Sequence, residues 1–431
     1  MSGNDVQLEE LFRKESGRIC AWLVRLLGPS RLDLIEDAVQ DAFHAALTQW
    51  PFEGTPQRPA AWLAVAARNK ALDRLRRDLR HDSIDPADEA AAWRLGFSNP
   101  EEAGRPDDTL ALMFVACHPA LAAEEQTMLT LQTVCGFNPR QVARAYLSTT
   151  DAVTQRLVRA KRRIRDLGLA FEIPEGSELG ARLPGLLNAI YLLFTGGYTA
   201  AEGERLMAQE LCAEALRLAT LLTAHPATAT GETHALTALM CFHHARAAAR
   251  TGEGGDLVVL AEQDRSRWDT ALMARGFEHL QRAMSGSEVT ALHLEAGIAA
   301  VHASAATFGE TDWPALVHYY DTLIELKPTP VVRLNAAIAR AYAEGAAAGL
   351  AQLEALAGNA RLEGYAPYHA ARGDLLQRLG RRGEAGEALQ RALECPLNDA
   401  ERDYLRLRLR TCRVQGVATD APASRERSAH S

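Results

Sequence analysis

The chain has 431 residues, 47% hydrophobic and 24% charged, with a formal net charge of −8. Such a composition excludes disordered and collagen-like chains, leaves room for two or three cores, and speaks against a surface that is basic throughout. The charge is uneven, because residues 1–165 hold 22 Lys/Arg and 22 Asp/Glu, which puts the whole acidic excess downstream.

Ala, Leu, Arg and Glu dominate, apolar residues recur at helical spacing, and no β-branched run alternates as a strand would, so the chain reads as all-α. The first three helices are expected over residues 6–27, 32–49 and 59–80, broken by GPSR and by a loop from Pro51 to Pro59. They form the first domain, 1–81. On the second helix Glu36, Asp37, Gln40 and Asp41 make an acidic and amide face opposite Ile35, Val39, Phe43 and Leu47, suited to a basic protein partner. On the third, Asn69, Asp73, Arg76, Arg77 and Arg80 fall on one face, opposite Leu72, Leu75 and Leu79. Such a basic face is either solvated or a nucleic-acid contact. Trp62 reads as a core residue in preference to a base-stacking one.

Residues 82–108 are polar and acidic, with Pro86, Pro100 and Pro106, and read as a linker holding one helical turn near 90–95. A second helical block follows over 109–169. Within it, GFNPRQVARAYLSTTDAVTQRLVRAKRRIR reads as two short helices joined by a tight turn. Val153, Leu157, Ala160 and Ile164 form one narrow apolar seam, Ser148 or Thr149 can cap the second helix, and Asp151 sits where the helix dipole favours an anion. Arg156, Arg159, Lys161, Arg162, Arg163 and Arg165 cover the rest. From Pro139 to Arg165 eight cations face one acid, Asp151, which suits contact with phosphate.

After IPEG at 173–176, residues 175–413 read as antiparallel helix pairs, and 414–431 as a disordered tail. Gly373, Leu376, Ala385, Leu389 and Ala392, with Gly380 in the turn and Pro396 after, fall at tetratricopeptide spacing, and 311–345 offers a looser copy. The cluster Asp264, Arg265, Ser266, Arg267, Trp268 and Asp269 reads as a capping and salt-bridge network or as a regulatory contact surface. His243 and His244 are adjacent and make a poor metal pair, and the seven cysteines form no CxxC and read as small buried hydrophobes. No enzyme signature, metal set or cofactor motif stands out. The acidic start of the chain and the absence of an apolar run of about 20 residues imply a cytoplasmic protein with no membrane contact.

In order and spacing, these segments resemble the extracytoplasmic-function sigma factors, promoter-recognition subunits of bacterial RNA polymerase. IEDAVQDAFHAAL resembles the helix of region 2 that docks on the polymerase clamp, and AWLAVAARNKALDRLRR the helix that grips the minus-ten element. GFNPRQVARAYLSTTDAVTQRLVRAKRRIR resembles region 4, which reads the minus-thirty-five element, with Leu147 where glycine is usual. DDTLALMFVACHPAL, LLNAIYLLFTGGYTA and AEQDRSRWD resemble a subgroup with a C-terminal tetratricopeptide-like domain. The resemblance implies core RNA polymerase and promoter DNA as partners, with a regulatory protein or ligand on the C-terminal domain, and no catalysis. Glu36, Asp37, Gln40 and Asp41 would meet polymerase. Asn69, Asp73, Arg76, Arg77 and Arg80 would meet the minus-ten element; Thr150, Thr154, Gln155 and Arg156 would face bases, and Arg159 and Arg162 the backbone. The acidic linker would tether two readers and thread into polymerase. The alternative is a helical-repeat scaffold with a DNA-binding module that never enters polymerase.

Overall fold

A computed structural model describes residues 3–81, 86–146, 148–198, 205–252, 256–286 and 288–417. The chain is all-α: the described residues contain no strand, only an isolated antiparallel bridge between Thr251 and Leu257. It divides into two compact units, Met1–Ala200 with Leu206–Ala229, and Thr230–Ser431 with Ala201–Arg205.

The first unit holds α1 (Gly3–Leu27), α2 (Leu32–Glu53), α3 (Pro59–His81), α4 (Pro86–Gly96), α5 (Pro106–Ala116), α6 (Ala123–Thr133), α7 (Pro139–Ala145), α8 (Thr150–Leu167), α9 (Gly176–Tyr198) and α10 (Arg205–Ala224). α2 runs past the expected break, through Pro51 to Glu53. A proline in the last turn removes only one terminal hydrogen bond, and the stop comes instead from Gly54 at φ 85°, a conformation costly for other residues. α1–α3 close on a core that includes Trp22, Leu23, Ile35, Val39, Phe43 and Leu63. Trp62 is half-buried and stands edge-on to the buried Trp50 with ring centroids 5.4 Å apart.

The expected linker is more structured than its composition suggested. α4 spans three turns and buries Ala91 and Leu95 completely, and Asn99 caps a 3-10 turn at Pro100–Glu102. Acids near its end tie it down: Arg25 donates to Asp108 at 3.0 Å and to Glu102 at 2.7 Å, and Arg58 donates to Glu101 at 2.8 Å. Asp82 and Asp85 of this segment lie outside the described residues, as do the side chains of Asp88 and Glu89.

The two blocks on either side of this segment therefore pack as one body. Gly17 of α1 lies against the end of α6 so closely that an added Cβ would sit 1.9 Å from the carbonyl oxygen of Val134. Gly17→Ala is accordingly expected to destabilise the unit by about 1–3 kcal/mol or more, since backbone cannot yield as a flexible side chain would; chemical denaturation of the variant measures it. The unit also extends beyond residue 175. α9 carries Leu186, Leu187, Ile190, Leu193 and Phe194 into the interior against α5 and α6, and its Arg182 donates to the Phe114 carbonyl at 2.6 Å while lying over that ring.

The second unit holds α11 (Gly231–Ala245), α12 (Thr270–Ala283), α13 (Ala291–Ser304), α14 (Trp313–Leu326), α15 (Pro330–Ala343), α16 (Ala346–Glu354), α17 (Ala360–Glu363), α18 (Ala366–Arg378), α19 (Arg382–Glu394) and α20 (Asp399–Val417). Neighbouring helices pack on one another, most closely α11 on α12, α14 on α15 and α18 on α19. The residues read as repeat positions are buried between α18 and α19: Gly373 lets α19 approach until a Cβ would meet Leu389 at 2.9 Å, and Gly380 turns the chain at φ 78°. All seven cysteines are free and buried. Burial pushes the Cys117 thiol up to about 12, too high to furnish a thiolate near neutrality.

Candidate nucleic-acid interface

α8 is built as its seam demands. Val153, Leu157, Ala160 and Ile164 are all buried, the Thr149 hydroxyl accepts from the Ala152 amide at 3.3 Å, and Gly168 closes the helix in the left-handed region at φ 58°. The preceding α7 is fixed by a reciprocal cap in which Asn138 and Gln141 exchange hydrogen bonds at 2.9 and 3.0 Å. Leu147, which follows α7 in sequence, lies outside the described residues.

At the start of α8, Thr154 and Gln155 are exposed and Thr150 is half-buried. Arg156 is half-buried and donates to Glu124 of α6 at 2.6 Å, while Arg159 and Arg162 are exposed. Towards the end, the helix does something its pattern did not announce. Lys161, counted among the outward cations, is only 7% exposed and pairs with Glu36 of α2, which is 8% exposed. Asp33 stands 3.7 Å from the same ammonium and pairs with Arg165, which also donates to the Ser30 carbonyl at 3.3 Å. Burial pushes the Glu36 carboxyl above its usual range, against the pull of Lys161 beside it. Lys161 sits one residue past Ala160 of the seam, where the helix surface turns from α6 towards α2, and this explains both its burial and its charge partner.

On α2, Asp37 and Gln40 are exposed and Asp41 is half-buried. Arg74 of α3 donates to Asp37 at 2.6 Å and to Asp41 at 2.8 Å. The expected acidic face thus survives without Glu36, which α8 covers. On α3, Asn69, Asp73, Arg76 and Arg77 are exposed on one side; the side chain of Arg80 lies outside the described residues. The structure brings the α2 and α3 faces together through Arg74, and places the α8 cations elsewhere on the same unit.

One feature escaped the sequence reading. Trp93 and Phe97, at the end of α4, are 65% and 78% exposed and lie 5.0 Å apart between ring centroids. Arg68 of α3 donates to Asn69 and to the Ser98 carbonyl at 3.1 Å, which fixes the aromatic pair beside the cationic face. Their i, i+4 spacing on the side away from Ala91 and Leu95 was the available signal.

Residues 11–81, which cover most of α1 and all of α2 and α3, match sigma-70 region 2. Residues 182–284 match a family of unknown function, DUF6596. Over 384 residues the chain is 39% identical to the "Uncharacterized protein R00370" of Rhizobium meliloti (strain 1021), an alignment that takes in 88% of this chain and 90% of the other. The chain belongs to that protein's family. Its sigma-70 region 2 supports a role in transcription initiation, and implies core RNA polymerase and promoter DNA as partners. No solved structure matches the chain. No helix among the described residues is long and apolar enough to cross a membrane.

Proposed function

We propose that the chain is a sigma factor of the extracytoplasmic-function type, which binds core RNA polymerase, delivers it to specific promoters, and is regulated through a tetratricopeptide-like C-terminal domain. The observation that carries this reading is the pairing of an exposed acidic-amide face on α2 with an exposed cationic face on α3, inside the segment that matches sigma-70 region 2. Asp37, Gln40 and Asp41 would meet polymerase, and Asn69, Asp73, Arg76 and Arg77 the promoter near minus ten. Trp93 and Phe97 would offer stacking surfaces to bases exposed as the duplex opens. Reversing the charge of Asp37 and Asp41 together is expected to abolish co-purification with core polymerase; retention at wild-type level would favour a DNA-binding scaffold that never enters polymerase.

α8 would act as the recognition helix for the minus-thirty-five element, with Thr150, Thr154, Gln155 and Arg156 towards bases and Arg159 and Arg162 towards phosphates. Gln155→Ala is expected to change which promoters fire, at about 1–3 kcal/mol for a lost bidentate base contact. Arg162→Ala should weaken all promoters alike and flatten the salt dependence. Footprinting across a promoter set separates the two.

The compact first unit would be a closed state. Elements about 25 base pairs apart lie roughly 85 Å from one another along B-DNA at 3.4 Å per base pair. A compact unit of this length is only about 45 Å across. Contact with both elements would then require α8 to leave α2, breaking the Lys161–Glu36 and Arg165–Asp33 pairs and freeing Glu36 for polymerase.

A further inference from the structure

The polar cluster that precedes α12 divides sharply by charge. Its acids serve as caps: Asp264 accepts from the Ser266 amide at 2.9 Å, and Asp269 from the Leu272 amide at 2.9 Å. Its guanidinium groups find carbonyls and not carboxylates. Arg265 donates through Nη1 to the carbonyls of His302, at 2.6 Å, and Ala305, and makes no ion pair among the described residues. Its Nη2 is buried without a hydrogen-bond partner.

Two cations converge here on one indole. The Arg265 guanidinium lies 4.6 Å from the Trp268 ring centroid and that of Arg246, just after α11, lies 5.6 Å from it. Trp268 is 6% exposed, and its Nε1 donor is buried and unpartnered, as is Nδ1 of His302 on α13. Burial and the neighbouring guanidinium groups push His302 down to about 4 and His243 down to about 3, so both rings stay neutral beside the cations. Glu310 acts on Arg265 only at longer range. Both guanidinium groups are half-buried and Arg246 donates to the Gln263 side chain at 3.2 Å, but Arg265 Nη2 and Trp268 Nε1 are donors buried without a partner, and no acid touches Arg265 among the described residues, an arrangement that an arriving counter-charge would stabilise.

We infer that Arg265, Arg246, Trp268 and His302 form a binding site for a small oxyanion, a phosphate or carboxylate group, which the second unit uses as a ligand input. The anion would accept from Arg265 Nη2 and Trp268 Nε1 and lie between the two guanidinium groups, with Arg265 held in place by its two carbonyl contacts. The site does not depend on the sigma-factor reading, and its test involves neither polymerase nor DNA.

The test is isothermal titration of the full-length protein with inorganic phosphate and, separately, with succinate, at ionic strength held constant with sodium chloride. Saturable binding of at least one of them at a single site is expected, and which one binds assigns the ligand to the phosphate or the carboxylate class. Arg265→Gln should weaken that binding roughly tenfold or more. Because Arg265 also braces α13, Trp268→Phe serves as the second variant: it keeps the ring under the guanidinium groups, removes one donor, and should weaken binding about threefold with the far-ultraviolet dichroism unchanged. Absence of saturable heat with both anions, or variants that bind as the wild type does, would overturn the site.

Discussion

Replacing Lys161 with Met is expected to destabilise the first unit by about 3–5 kcal/mol, because it strands the Glu36 carboxylate in a place where 8% exposure leaves it almost no water. The same logic predicts an opposite result for the pair. Glu36→Leu combined with Lys161→Met removes both desolvated charges, and the double variant should be as stable as the wild type or gain about 1–4 kcal/mol. Urea denaturation of the two single variants and the double gives the coupling directly. A Lys161→Met variant that unfolds at the wild-type midpoint would mean that the ammonium contributes nothing to the closed unit. If the closed state restrains activity, the double variant should also hold α8 on α2 more tightly and initiate less well, although its stability is undiminished.

The second large effect concerns where the chain can be cut. A boundary at residue 175 follows from the sequence, yet truncation there removes α9 and with it Leu186, Leu187, Ile190, Leu193 and Phe194 from the first unit's interior. At about 1.5–3 kcal/mol for each buried apolar side chain, the loss is roughly 8–15 kcal/mol, as large as the whole stability of a typical domain. Residues 1–175 should therefore aggregate or unfold, whereas residues 1–229 should stay soluble with a cooperative thermal transition. Size-exclusion chromatography and calorimetry on both fragments distinguish these outcomes; a monomeric, cooperatively folding 1–175 fragment would show that α9 is dispensable to the unit.

Periodicity made the helices legible, along with the seam of α8 and the α18–α19 pair, since each depends on local spacing alone. Val153, Leu157, Ala160 and Ile164 could be placed from the 3.6-residue period before any fold was known. The errors share a cause: composition does not say which charges meet. The segment 82–108 looked like a free tether because it is acidic, but Arg25 lies in α1 and Arg58 just before α3, and nothing local pairs them with Glu102, Asp108 and Glu101. Glu36 looked like part of an exposed face because Asp37, Gln40 and Asp41 flank it, while its partner lies 125 residues away on α8. The reach of the first unit to Ala229 was hidden for a similar reason, since α9 is amphipathic in the same way whether it covers α5 and α6 or opens a separate array.

The central claim is that this chain programs polymerase through α2 and α3. Its most direct test mixes the purified full-length protein with bacterial core RNA polymerase and reads transcript start sites on a fragment library of the source genome. The account predicts a stable complex on gel filtration and defined starts that vanish when Asp37 and Asp41 are both reversed in charge. Failure of the protein to bind core enzyme, or start sites identical with and without it, would contradict the account.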